Sequence, residues 1–272
     1  MRKRKFNILI HVTAVIIGVI FIFPVLWLVL SAFKPGSELF TFPLTFFPKH
    51  FTFDNFITAW KKMDFMLYTL NTVFVTIMAT VLTLLLSAMC GFALAKYHYK
   101  WLNILFICVL ATTMLPTEVI MTPSFEVIRV LGLYNSLWGL IIPTIGTMTG
   151  IFLMRQFFVT VPDALIEAAR IDGASEGKIF IKIMLPVAKS TLAILAIFSF
   201  RWRWNDYIWP LIVIDDPQKY TLQLALKNLA GALSIDWTTL LSASVITMLP
   251  ILLVFVLCQK RIINANTSSG VK

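Results

Sequence analysis

Long, mostly apolar runs separated by short polar segments set the pattern of this 272-residue chain. Six of the runs reach the ~20 residues that a helix needs to cross a hydrocarbon layer. They lie at roughly 8–33, 68–95, 101–121, 135–157, 188–212 and 238–258. The pattern predicts an all-α membrane protein with six transmembrane helices in a single domain over 1–272. The first run follows the basic residues Arg2–Lys5. It is longer than the about 7–15 apolar residues of a secretory leader, and no small-residue cleavage site follows it, so it is read as a retained span. One segment between spans four and five breaks the apolar pattern. "EAARIDGASEGKIFIKIMLP", from Glu167 to Pro186, carries six charged side chains in twenty positions: Glu167, Arg170, Asp172, Glu176, Lys178 and Lys182.

Composition agrees with the runs. Charged residues make up 13% of the chain and hydrophobic ones 59%, whereas a soluble domain carries about 25% charged residues. The spans and their short loops use almost the whole length, which leaves no room for a separate soluble domain. The net charge of +10 is not gathered into a basic domain with interleaved aromatics, which argues against nucleic acid as a partner. Topology explains it better. With the N-terminus placed inside, fourteen Lys and Arg fall on inner segments and seven on outer ones, with Arg201 and Arg203 inside a span. The bias favours cytoplasmic N- and C-termini and places the loop 160–186 in the cytoplasm. Segments 34–66 and 215–237 are then the external pieces. Cys90, Cys108 and Cys258 all sit in apolar runs and read as small buried hydrophobes rather than a disulfide framework. His11, His50 and His98 are far apart in this topology and make no metal site.

The polar loop is built for two short helices. Asp163 precedes a run of good helix formers and is a candidate cap for free N–H groups. Leu165, Ala168 and Ala169, with Ile171 or Asp172, make a short face of small and apolar side chains. Glu167 and Arg170 are spaced to pair one turn apart. Gly173 suits a left-handed helix stop. A second helix fits "SEGKIFIKIM", and Pro186 marks the entry to span five. The "GASEGKI" within it is not a phosphate loop, because that loop needs four residues between its glycines and Ser or Thr after the lysine. From these residues alone two readings stay open: a docking element for a partner, or a solvated helix on the bilayer surface.

The spacing also resembles a known pattern. Glu167-Ala168-Ala169, then Gly173, then Ile183, Leu185 and Pro186 match, at every interval, the "EAA" motif of permease subunits of binding-protein-dependent ABC importers. "MLPTEVIMTP" at 114–123, "WNDYIWPLIV" at 204–213 and "SSGVK" at 268–272 resemble the maltose-type carbohydrate branch of that family. The resemblance implies that Glu167, Ala168, Ala169, Arg170, Asp172, Gly173, Ile183, Leu185 and Pro186 belong to coupling helices that dock on a cytoplasmic ATPase. It implies a second homologous permease, two ATPase subunits, an extracellular solute-binding protein and surrounding membrane lipid. ATP and Mg belong to the ATPase partner, so this chain is expected to hold no cofactor, no metal and no catalytic residue. The expected location is the inner membrane of a prokaryote and the expected cargo a sugar or oligosaccharide. A polyol phosphate such as glycerol 3-phosphate is the nearest alternative. A secondary transporter driven by an ion gradient is a more distant one.

Span five carries charges where insertion costs about 2.5–3.5 kcal/mol each. Arg203 is spaced to pair with Asp206 within one helix. Arg201 has no acidic residue three or four positions away and shares a helical face with Asn205. Arg201, Asn205 and Trp209 are therefore candidates to border a translocation path, with an ion pair across a subunit interface as the structural alternative. Trp202, Trp204 and Trp209 fit either stacking on sugar rings or packing between helices. Pro116 with Glu118 reads as a break near the outer end of span three, and Pro143 and Pro250 as kinks.

Overall fold

The computed structural model describes the backbone of residues 2–268 and the side-chain surroundings of residues 10–257. The side chains of Arg2–Lys5, of Cys258 and of the piece at 268–272 lie outside the described residues. Every regular element among the described residues is helical. In chain order they are α1 (Arg2–Ala32), α2 (Gly36–Leu39), α3 (Asp54–Lys62), α4 (Phe65–Lys96), α5 (Lys100–Thr112), α6 (Thr117–Val130), α7 (Leu137–Ile141), α8 (Met148–Val159), α9 (Ala164–Ile171), α10 (Glu176–Ile179), α11 (Leu185–Val187), α12 (Lys189–Trp204), α13 (Ile208–Val213), α14 (Leu222–Ala230) and α15 (Trp237–Ser268).

Three stretches are long and apolar enough to cross a bilayer unbroken: Ile10–Ala32, Phe65–Lys96 and Trp237–Leu257. Three more candidates are bent. Lys100–Thr112 and Thr117–Val130 meet at 112°, Leu137–Thr144 and Met148–Val159 at 42°, and Glu176–Val187 and Lys189–Trp204 at 77°. Counting each pair once gives six.

The sequence explains the bends. After α5, the hydroxyls of Thr112 and Thr113 fold back on the carbonyls of Val109 and Leu110, both at 2.7 Å. Pro116 then removes a donor and biases Leu115 away from helix. The straight run expected at 101–121 therefore stops at Thr112. Its thirteen residues rise only about 20 Å, short of the ~30 Å hydrocarbon core. Pro143 sits in a 3₁₀ turn, Ile142–Thr144, between α7 and α8. Pro250 lies inside a continuous α15.

Span five also ends earlier than 212. The backbone N–H and side-chain amide of Asn205 both donate to the Arg201 carbonyl, at 3.2 and 2.9 Å, closing α12 at Trp204. The chain restarts at Ile208, where Asp206 Oδ1 accepts from the Trp209 N–H at 3.3 Å. Pro210 falls in the first turn of α13, where its missing N–H leaves no helix bond unmade.

Contacts divide the chain into two compact units, one of residues up to Met66 with Ala225–Leu249, the other of Leu67–Leu224 with the residues from Pro250. In the first, Phe33 packs among Phe51, Phe53 and Phe56 at 4.8–5.3 Å between ring centroids. Buried Asn55 donates to the carbonyls of Ala32 at 2.9 Å and Lys34 at 2.7 Å, pinning α3 to the end of α1. Asn55→Ala removes both bonds from a buried site, and a loss of about 1–3 kcal/mol is expected. Breaking the exposed Lys62–Asp236 pair (2.7 Å) by Lys62→Ala should cost about 0–1 kcal/mol. Thermal melts of the two purified variants in detergent check the ranking.

The second unit packs around α4. Val75 and Ala79 join Ile128, Ile141, Trp209 and Leu224 in one core cluster. Ala88 and Phe92 join Met154, Phe158, Ile166, Ala169, Ile179 and Leu195 in another. Between them α4 turns a line of small buried side chains inward: Thr72, Thr76, Thr80, Thr83 and Ser87. Small residues at such spacing let helix backbones approach closely in a membrane.

Candidate functional site

The loop from Glu167 to Pro186 folds as two short helices around a glycine turn. α9 has two faces. Ile166 and Ala169 are buried in the core shared with α4, α8 and α12. Leu165, Ala168 and Ile171 are exposed on the other side, Ile171 by 86%. Ala169, expected on the same face as Ala168, instead anchors the helix. Glu167 and Asp172 are exposed, and the Glu167 carboxylate has no partner among the described residues.

Gly173 ends α9 at φ +75°. Its N–H donates to the Arg170 carbonyl at 3.0 Å, and that of Ala174 donates to the Ala169 carbonyl at 2.9 Å. This pair of bonds closes a helix through a left-handed residue. Ser175 then caps α10, its hydroxyl accepting from the Lys178 N–H at 3.4 Å. Phe180–Met184 forms a π turn just before Pro186. The wider turn relieves the clash between the proline ring and the preceding carbonyls. Ile183 and Leu185 pack half-buried on the core while Pro186 is exposed.

Charged contacts tie the loop to the end of α4. Lys96 Nζ donates to Asp163 Oδ1 at 2.6 Å and to the Val161 carbonyl at 2.5 Å. Arg170 Nε donates to Glu176 Oε1 at 2.7 Å, and the Tyr97 hydroxyl donates to Glu176 Oε2 at 2.5 Å. Two expectations change here. Asp163 makes no side-chain cap to α9, because Lys96 takes its carboxylate. Arg170 pairs with Glu176 across the glycine turn instead of with Glu167. The Lys96 ammonium holds the Asp163 carboxyl below the usual carboxylate range. Arg170, and then Tyr97, do the same for Glu176. Stability from lowered carboxylates is present above the ordinary range and is lost as pH falls through the lowered values. The ties are therefore intact throughout the neutral range. Lys96, Tyr97 and Glu176 carried no signal as partners in the sequence, since |i−j| reaches 79 for Tyr97 and Glu176.

The charges of span five are arranged differently from expectation. Arg203 and Asp206 do not pair within one helix: α12 ends between them, and no contact ion pair joins them among the described residues, although each charge still acts on the other. Instead an Arg203 Nη donates to the Thr144 carbonyl at the α7–α8 break. Arg201 and Asn205 are exposed, and the Asn205 amide is spent on the Arg201 carbonyl. Trp209, beyond the break, is not on their face. It is buried, 5% exposed, with its Nε1 donating to the Gly139 carbonyl at 3.1 Å. Trp204 is also buried, and Trp202 is exposed with its ring stacked on Phe198 at 6.0 Å.

Comparison with known proteins agrees with this geometry. A family profile described as the binding-protein-dependent transport system inner membrane component matches residues 66–265. The chain is 38% identical to the arabinooligosaccharides transport system permease protein AraQ of Halalkalibacterium halodurans, over 94% of this chain and 93% of that one. It is 33% identical to the diacetylchitobiose uptake system permease protein NgcG of Streptomyces coelicolor, covering 95% and 87%. It is also 33% identical to the sn-glycerol-3-phosphate transport system permease protein UgpE of Pectobacterium atrosepticum, covering 95% of each. In fold it matches a chain from the crystal structure of a bacterial ABC transporter involved in the import of the acidic polysaccharide alginate. The TM-score is 0.86 over 96% of this chain and 97% of that one, at 24% identity. An all-helical chain with a glycine-stopped helix pair between bent spans, matched along nearly its whole length, belongs to the inner membrane permease components of binding-protein-dependent transport systems.

Proposed function

We propose that this chain pairs with a second homologous permease to form the membrane pathway of an ATP-driven importer for a sugar or oligosaccharide, in the inner membrane of a prokaryote. The observation that carries the reading is the near full-length likeness to permeases named for arabinooligosaccharides and diacetylchitobiose. In this reading an extracellular solute-binding protein delivers the cargo. Two ATPase subunits below bind ATP and Mg and hydrolyse the nucleotide, and this chain transmits their closure by alternating between two global states.

The transmitting element is the α9–α10 loop. Leu165, Ala168 and Ile171 make an apolar stripe exposed at i, i+3 and i+6 on a helix whose opposite face is locked into the core. That is the form of a helix presented to a groove in a partner. Glu167 beside the stripe is a charge without a partner among the described residues. Six spans with both termini cytoplasmic put this loop on the ATPase side. A cysteine at Lys178 is then reachable only from the cytoplasm of sealed cells and one at Asp216 only from outside. Labelling of the first from outside overturns the topology.

A second reading, import of a polyol phosphate, has the glycerol 3-phosphate permease relative in its favour. The two are separated by purifying the complex through a tag on this chain, identifying the copurifying ATPase and permease, and measuring ATP-dependent uptake in proteoliposomes supplied with the binding protein. Uptake of a neutral oligosaccharide supports the first reading. Uptake of sn-glycerol 3-phosphate alone supports the second, and uptake driven by an ion gradient without ATP overturns both.

A further inference from the structure

Three chain breaks of the second unit meet at one cleft of about 200 Å³. The start of α6 contributes Thr117 and Ser124, the α7–α8 break contributes Thr144, and the α12–α13 break contributes Arg203, Asp206 and Trp209. At ~30 Å³ per water, the space equals about six or seven water molecules, enough for one sugar ring. Broken helices are where a membrane transporter builds its binding sites, because irregular backbone at that depth is tolerated only against protein or a wet cavity.

The polar groups of the cleft are not used up by each other. Arg203 is held by one bond to the Thr144 carbonyl, and its buried Nε has no acceptor among the described residues. A buried donor left unmatched calls for a bound group or water to satisfy it. Asp206 accepts from the backbone N–H groups of Trp209 and Ile208, which leaves further lone pairs on its carboxylate. No ion pair within contact distance joins it to Arg203 among the described residues, although the two charges act on each other and both line the same cleft. Donor and acceptor are thus both available across an apolar wall supplied by Trp209.

We propose that this cleft is a subsite for one neutral, polyhydroxylated ring of the transported solute. Neighbouring hydroxyls of the ring accept from Arg203 and donate to Asp206, with the ring against Trp209. The carboxylate disfavours a phosphate there, so the site selects neutral sugar over polyol phosphate. The proposal rests on the sugar-import reading above.

The test uses the assembled transporter in proteoliposomes, with Cys90, Cys108 and Cys258 replaced by alanine and a single probe, Ser124→Cys, in the cleft. Modification of the thiol by a small methanethiosulfonate reagent is timed with and without arabinotriose, diacetylchitobiose or sn-glycerol 3-phosphate, and import of each is measured in parallel. Slowed modification by an imported neutral sugar, absent with sn-glycerol 3-phosphate, is the expected result. Arg203→Gln and Asp206→Asn should each abolish the protection and raise the import KM by about tenfold or more, the loss of one charge-assisted hydrogen bond. Import of a neutral sugar without protection in the Ser124→Cys parent overturns the subsite and leaves the import reading standing. So does protection that survives both substitutions. Import of sn-glycerol 3-phosphate alone, or of none of the three, overturns the sugar reading and the subsite together.

Discussion

Gly173→Val is expected to uncouple the assembled transporter: import and binding-protein-stimulated ATP hydrolysis fall together, on the order of tenfold or more. The cause is conformational. Gly173 is at φ +75°, and a Cβ added there meets nothing within 4 Å, so the substitution creates no clash. It does forbid the backbone angle. A left-handed residue with a side chain costs roughly 1–2 kcal/mol, and a β-branched one more. The chain then gives up the two bonds by which Gly173 and Ala174 close α9, and α9 and α10 lose their fixed mutual angle. Because the turn is exposed, insertion and assembly should be unaffected, which copurification of the partner subunits checks. Gly173→Asn supplies the control, since asparagine tolerates the left-handed region; it should retain most of the stimulation. Full stimulation in an assembled Gly173→Val complex removes the turn from the coupling mechanism. Equal loss in Gly173→Val and Gly173→Asn points instead to a partner that needs the space a hydrogen leaves.

How much of this was legible in the sequence follows the range of the forces involved. The apolar runs located three unbroken helices long enough to cross a bilayer and three bent candidates, because burial in lipid acts on each segment by itself. The glycine stop at 173 and the start of span five near 188 were readable for the same reason: each is set by residues within a turn of it. The bends were only half readable. Pro116 announced a break, but the 112° turn between α5 and α6 also depends on Thr112 and Thr113 folding back on the helix, and threonine in an apolar run usually gives no such notice. The early stop at Asn205 was hidden because the apolar pattern resumes beyond Asp206 and runs from Tyr207 to Val213. That one local event displaced three expectations: it separated Arg203 from Asp206, spent the Asn205 amide, and turned Trp209 away from Arg201. The ties between Lys96 and Asp163 and between Tyr97 and Glu176 were out of reach, since they depend on where the end of α4 lies against a loop more than sixty residues away. The same long-range packing decided which of two adjacent alanines in the loop faced inward.

Gly91→Leu is expected to prevent the second unit from packing, with little folded protein recovered and a large fall in melting temperature for whatever is. The contact explains the size of the effect. A Cβ on Gly91 sits 2.6 Å from Met154 Cβ, 2.7 Å from the Arg155 nitrogen and 2.9 Å from the Met154 carbonyl carbon, so α4 rests on the backbone of α8 itself. One helical turn earlier on α4, Ser87 meets Gly150, where an added Cβ falls 2.4 Å from the Ser87 hydroxyl. Ser87 and Gly91, four residues apart, thus oppose Gly150 and Met154, also four apart, a small-residue contact that holds two membrane helices at close range. A side chain at the end of a flexible arm can move, but backbone cannot, and the helices must separate. Separation opens the core of Ala88, Phe92, Met154 and Phe158, which also seats Ile166 and Ala169 of α9. Gly91→Ala should already cost about 1–3 kcal/mol by overpacking, and Gly91→Leu more. Trimming the neighbour should not rescue it, because Met154→Ala leaves the Arg155 nitrogen in place. Gly18→Leu is the matched control: it too lies in a span, but nothing stands within 4 Å of an added Cβ, and its melting temperature should stay near that of the parent. Equal stability of Gly91→Leu and Gly18→Leu in detergent melts would mean that α4 and α8 do not touch through glycine, and the seat of the coupling loop would have to be held by other contacts.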